Sequence, residues 1–149
     1  MLPQALVPAV ERLAQNLYIC PSTLAQHAAL ACFDAESIAE YERRRQAFRE
    51  RRDMLVPALG ALGLPVPVLP DGAFYAWADC SGHVDPAQGG SWEFAFKLMR
   101  QAHVAVTPGR DFGRHDTARY VRLSFASSLE QLHQAVQRLG DVLPRMARR

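Results

Sequence analysis

Apolar positions recur along this chain with spacings that change several times, and each change marks a new element. Residues 5–15 and 23–33 carry helical spacing. Between them lies Asn16-Leu17-Tyr18-Ile19-Cys20-Pro21-Ser22, where the proline stops one helix and Ser22 or Thr23 caps the next. From Ser37 to Leu62 the residues Ile38, Tyr41, Phe48, Leu55 and Leu62 recur at three- and seven-residue intervals, the stripe of a long amphipathic helix. Gly60 and Gly63 close it, and Pro65 and Pro67 forbid its continuation.

The block from Val66 to Asp79 changes character. Its Asp71-Gly72 pair, flanked by β-branched and aromatic residues, predicts a hairpin or strand pair. Ser91 reads as the N-cap of a helix over 92–102 with Phe94, Leu98 and Met99 on one face. Val104 to Thr107 is a short strand that runs into the loop Pro108-Gly109-Arg110-Asp111-Phe112-Gly113. Arg119 to Phe125 sets Tyr120, Arg122 and Ser124 on one face and Val121, Leu123 and Phe125 on the other, as in a half-buried strand. Ser127-Ser128-Leu129-Glu130 reads as a capping box for a last helix built on Leu129, Leu132, Val136, Leu139, Leu143 and Met146. Segregated strands with helices to cover one face predict an α+β fold with a small, mostly antiparallel sheet.

Composition narrows the classes. With 149 residues and 49% apolar content, the chain can bury a core without disulfides or metal. Cys20, Cys32 and Cys80 have no regular spacing and are expected as free thiols of a reducing compartment. The five histidines lie far apart with no ligand spacing, so no metal site is expected. No apolar run approaches the roughly 20 residues of a membrane helix, and the first residues do not resemble a signal peptide, which makes a cytoplasmic protein without a membrane partner the expectation. A net charge of +2 does not call for nucleic acid.

Two arginine features remain. The run Arg43 to Arg52 could contact phosphates as a non-catalytic protein- or nucleic-acid-binding module, but Glu40, Glu42, Glu50 and Asp53 interleave with it and favour a solvated helix face. Arg122 stands on a strand between apolar residues beside a Pro-Gly loop. Its planar, permanently charged fork suits bidentate capture of a carboxylate, although an ordinary exposed strand arginine fits the same pattern. Sixteen arginines accompany one lysine, Lys97, whose helix offers neither a phosphate cradle nor a carboxylate for a cofactor ring.

Asn16-Leu17-Tyr18-Ile19-Cys20-Pro21-Ser22, the Tyr41-to-Leu62 helix, Pro70-Asp71-Gly72-Ala73-Phe74-Tyr75, Val106-Thr107-Pro108-Gly109 with Phe112-Gly113, and Tyr120-Val121-Arg122-Leu123-Ser124-Phe125-Ala126 follow one another in this order. In that order the chain resembles the C-terminal portion of class I/II aminotransferases, pyridoxal-phosphate enzymes of fold type I. The resemblance implies that Arg122 grips the substrate's α-carboxylate, with Tyr75, Phe112 and, secondarily, Phe74 on the substrate side. It implies that Asn16 and Tyr18 lie near the subunit interface of a homodimer. It also implies a division into residues 1–35, the end of a large domain with interdomain helices, and residues 36–149, the C-terminal small domain. The Schiff-base lysine and the cofactor-holding residues of the family lie upstream of the matching segments. The chain is therefore expected to carry no catalytic and no cofactor-binding residue, to be inactive alone, and to depend on a separate large cofactor-binding domain for action on an amino acid and a 2-oxo acid.

Overall fold

The structure is a computed structural model that describes residues 2–146, so Met1 and residues 147–149, the outer ends of the two expected domains, lie outside the described residues. The chain forms two compact units, Met1–Arg44 and Arg45–Arg149.

The first unit contains α1 (Val7–Leu17), α2 (Thr23–Leu30) and the opening turns of α3 (Ala35–Ala61). Pro8 sits in the first turn of α1, where its missing N–H costs no hydrogen bond. Ser22 caps α2 as expected, its Oγ accepting the Ala25 N–H at 3.3 Å. Neither α1 nor α2 buries any residue. Leu6, Val10, Leu13 and Leu17 form a helical stripe, each at least 36% exposed.

The second unit holds the rest of α3, then β1 (Tyr75–Asp79), α4 (Gly90–Gln101), β2 (Thr107–Pro108), β3 (Tyr120–Ser124) and α5 (Leu129–Met146). The strands form one antiparallel sheet in the order β1-β3-β2. Side chains alternate across a strand, so Ala76, Ala78, Val121 and Leu123 share a face. That face is buried with Leu55 and Leu59 of α3, Phe94 and Leu98 of α4, and Leu132, Leu139 and Leu143 of α5. The other face carries Tyr75, Trp77, Tyr120 and Arg122. The expected α+β class with a small antiparallel sheet is therefore the class observed.

Several local expectations are corrected. No hairpin forms at Asp71-Gly72; β1 pairs with β3, and residues 66–70 make no strand. Pro65, Pro67 and Pro70 deprive that segment of ladder donors, and one link remains, from the Asp79 N–H to the Pro65 carbonyl at 2.8 Å. Ser91 is not the cap of α4. Gly89 takes that position at φ +91°, a left-handed conformation that favours glycine, while Ser91 is buried and donates its hydroxyl to the Thr117 carbonyl at 3.0 Å. The capping box falls one residue later than expected: Ser128 Oγ accepts the Gln131 N–H at 3.2 Å, and Gln131 Oε1 accepts the Ser128 N–H at 3.3 Å. The strand expected over 104–107 is confined to Thr107–Pro108.

Candidate functional site

Arg122 is the central residue of the central strand, opposite Trp77 of β1 and Thr107 of β2. Its guanidinium carbon lies 4.0 Å from the centre of the Tyr75 ring and 4.4 Å from that of Phe112. Tyr75 comes from the β1 side, and Phe112 from the single 3-10 turn Gly109–Phe112 that follows β2. The fold thus brings the three expected site residues, Arg122, Tyr75 and Phe112, into one cluster. Phe74 packs against the core and stacks on Phe48 at 5.7 Å, and its ring also meets that of Tyr75 at 4.4 Å, so it reaches the cluster through Tyr75.

The environment of Arg122 differs from that of the other half-buried arginines. Arg51 donates to the Ala126 carbonyl at 3.0 Å, Arg52 donates to the Pro70 carbonyl at 3.0 Å, and Arg119 pairs with Asp79. Arg122 meets aromatic rings instead, and among the described residues its N–H groups have no oxygen acceptor. A half-buried guanidinium with unspent donors is suited to an anion brought from outside.

Four residues that the sequence pattern alone does not single out support this cluster. Trp77 stacks on Tyr120 at 5.5 Å and meets Phe112 at 5.6 Å with the rings nearly perpendicular. Tyr120 is in turn covered by Arg119, 5.3 Å above its ring. Alternation from Tyr75 and Arg122 places Trp77 and Tyr120 on this face, and that was the signal available. The anchor of the edge is Asp79, whose carboxylate bonds Arg119 and the Ser81 N–H. Burial pushes the Asp79 carboxyl up, but its hydrogen bonds from Arg119 and Ser81 outweigh this and hold it below the usual range. Next to it, Cys80 is buried, donates to the Arg119 carbonyl at 3.2 Å and is pushed by burial up to about 12.

Gly109 fixes the Phe112 turn. A Cβ there would run into the Thr117 carbonyl oxygen and lie 2.8 Å from that of Tyr120.

Lys97 is exposed on α4. It borders a cavity of about 200 Å³ together with His83, Asp85, Gln88, Glu93 and Phe94. The expectation of no carboxylate near Lys97 is corrected, since Glu93 and Asp85 line the same cavity, but among the described residues no arginine, serine or threonine lines it to hold a phosphate, so the residues present there do not fit pyridoxal phosphate. Among the described residues no group of three metal-ligating side chains is found and no helix is long and apolar enough to cross a membrane. The arginine-rich run is largely paired within the chain: Arg43 and Arg44 both bond Glu40, holding that carboxyl down at about 2, and Arg51 and Arg52 reach backbone oxygens.

The model of the family Aminotransferase class I and II matches residues 1–139. The chain belongs to the class I and II aminotransferases. This family is pyridoxal-phosphate-dependent. The chain is 36% identical over 147 residues to the valine–pyruvate aminotransferase of Mycobacterium tuberculosis, covering 97% of this chain and 36% of that protein. It is 38% identical over 145 residues to the aspartate/prephenate aminotransferase of Thermus thermophilus, covering 96% of this chain and 35% of that protein. The crystal structure of an aminotransferase from Mycobacterium tuberculosis superposes with a TM-score of 0.83 at 34% identity, over 97% of this chain and 36% of that one. The chain thus spans about a third of the length of the aminotransferases it matches.

Proposed function

We propose that this chain is the substrate-carboxylate-binding part of an aminotransferase that acts on an amino acid and a 2-oxo acid, with Arg122 as the carboxylate anchor and Tyr75 and Phe112 as the walls beside it. The observation that carries the proposal is the half-buried Arg122 guanidinium, held by two rings and with no oxygen acceptor among the described residues. A planar fork of this kind binds both oxygens of a carboxylate in parallel, which fixes the orientation of the rest of the substrate. The pairing of the arginine-rich helix within the chain favours this reading over a nucleic-acid- or protein-binding module.

In this reading the cofactor, which supplies the electron-sink chemistry when bound, belongs to a large domain outside this chain, and Lys97 has no part in holding it. Residues 1–35 are the end of that large domain with interdomain helices, and residues 36–149 are the small domain. The exposed stripe Leu6, Val10, Leu13 and Leu17 supports this, since a helix that buries nothing of its own needs a partner to cover it. A cytoplasmic homodimer completes the reading. Tyr18, 68% exposed, is the better placed of the two interface candidates, because the Asn16 amide is already bonded to the Arg12 carbonyl at 2.6 Å.

The test is complementation. The chain is combined with a protein fragment that supplies the other two thirds of the family's length, and 2-oxo acid formation from an amino donor is followed. Activity should require both pieces, fall by about a hundredfold or more in kcat/KM with Arg122→Ala because a bidentate charged contact is lost, and survive Lys97→Arg. Full activity with Arg122→Ala, or turnover by this chain alone that Lys97→Arg abolishes, sinks the proposal.

A further inference from the structure

The position of Phe112 needs a physical cause. Its ring is 46% exposed and sits at the end of a turn of only four residues, so the core does not hold it. Its aromatic neighbour is Trp77, 5.6 Å away at 84°, and Trp77 is itself anchored by near-parallel stacking on Tyr120, at 20°. Perpendicular and offset ring pairs of this sort are geometrically selective as well as attractive. Trp77 is thus the link that passes the rigidity of the sheet to one wall of the Arg122 cluster.

We infer that Trp77 is a positioning residue which, by fixing Phe112 against the guanidinium, makes the Arg122 site selective for planar carboxylates over tetrahedral anions of the same charge. The inference rests on the reading of Arg122 as a carboxylate anchor and adds a selectivity to it. All five guanidinium donors lie in one plane, and with rings from the β1 and β2 sides against the group an anion must approach edge-on in that plane. A carboxylate presents two oxygens in a plane and nothing beyond them. A sulfonate presenting two oxygens has a third, which points out of the plane toward a ring and loses its water there without gaining a donor. The discrimination depends on the ring staying in place, and hence on Trp77.

The test titrates the 149-residue chain with butanoate and, separately, with propanesulfonate, two anions of equal charge, following the backbone amide resonances of Tyr120–Ser124. The unaltered chain should prefer butanoate. In Trp77→Leu the ratio of the two dissociation constants should move toward unity by about two- to tenfold, the worth of one aromatic pair, whereas Trp77→Phe, which keeps a ring against Phe112, should retain it. A Trp77→Leu chain that weakens both anions equally, or keeps the original ratio, overturns the proposal and leaves the Arg122 reading standing. If the leucine variant does not fold, a folded Trp77→Phe chain that has lost the preference overturns it as well. A butanoate response that is missing in the unaltered chain, or that persists in Arg122→Ala, overturns the carboxylate reading beneath it.

Discussion

Trp77 and Arg122 stand directly opposite each other in the β1–β3 register, yet the Trp77 ring engages Tyr120 and Phe112 while the guanidinium rests against Tyr75 and Phe112. Phe112 is where the two meet. The open face of the sheet is therefore a continuous row of stacked groups from Asp79 and Arg119 through Tyr120 and Trp77 to the site. Its two ends can be perturbed separately.

At the loop end, Gly109→Ala should destabilise the chain by about 1–3 kcal/mol, since the new methyl group meets two carbonyl oxygens that belong to the backbone and cannot rotate away. Denaturant unfolding measures the loss. The same variant should weaken butanoate binding, because the turn that carries Phe112 has to shift. A variant as stable as the parent would show that the turn adapts freely.

At the strand end, the depressed Asp79 carboxyl gives a pH signature. The native state favours the ionised form, so the ion pair's contribution is present above the ordinary carboxyl value of 3.8 and is lost as pH falls through that value and below it. Arg119 is 42% exposed in its side chain, so solvent screening keeps the contribution small. Asp79→Asn should accordingly lower Tm at pH 6 and leave it little changed near pH 3. An equal deficit at both values would assign the effect to packing.

The three cysteines should separate by reactivity. Cys20 and Cys32 are exposed, whereas Cys80 is buried with its thiol pushed up to about 12. At pH 8 a thiol-alkylating reagent followed by intact mass should add two groups rapidly and the third only on unfolding. Rapid addition of three would mean that β1 opens readily.

How much of this was legible in the sequence depended on whether a signal was local. The alternation over Arg119–Phe125 placed Arg122 on the open face correctly, since a period of two is a property of the strand itself. The hairpin at Asp71-Gly72 failed because the pairing partner of β1 lies more than forty residues downstream, and no local pattern encodes that choice. Ser91 failed similarly: a serine before a helical run is a fair cap, but here its hydroxyl is committed to Thr117, a contact made only in the folded chain. Trp77 was readable by alternation from Tyr75, yet its role emerges only when Phe112 arrives from another loop. The stripe of α3 holds in part: Leu55 is buried and Phe48 and Leu62 pack against the core, whereas Ile38 and Tyr41 are exposed and the buried Leu59 lies outside the expected stripe.

The stripe on α1 leads to a further expectation. With Leu6, Val10, Leu13 and Leu17 uncovered, the isolated chain should self-associate at high concentration and bind a hydrophobic dye. Leu13→Glu together with Leu17→Glu should reduce both without lowering the unfolding midpoint of the second unit. A monodisperse monomer that ignores the dye would argue for an independently stable domain.

The strand order β1-β3-β2 also bears on biosynthesis. The central strand is the last of the three to be synthesised, so β1 and β2 each wait for the same late segment, and neither can pair with its final neighbour before residues 120–124 leave the ribosome. Arg122 and the ladder that closes the sheet are installed in one step. A nascent chain released before that point would lack Arg122 and also present two unsatisfied strand edges to chaperones and proteases, so its exposure to them ends only with completion of the central strand.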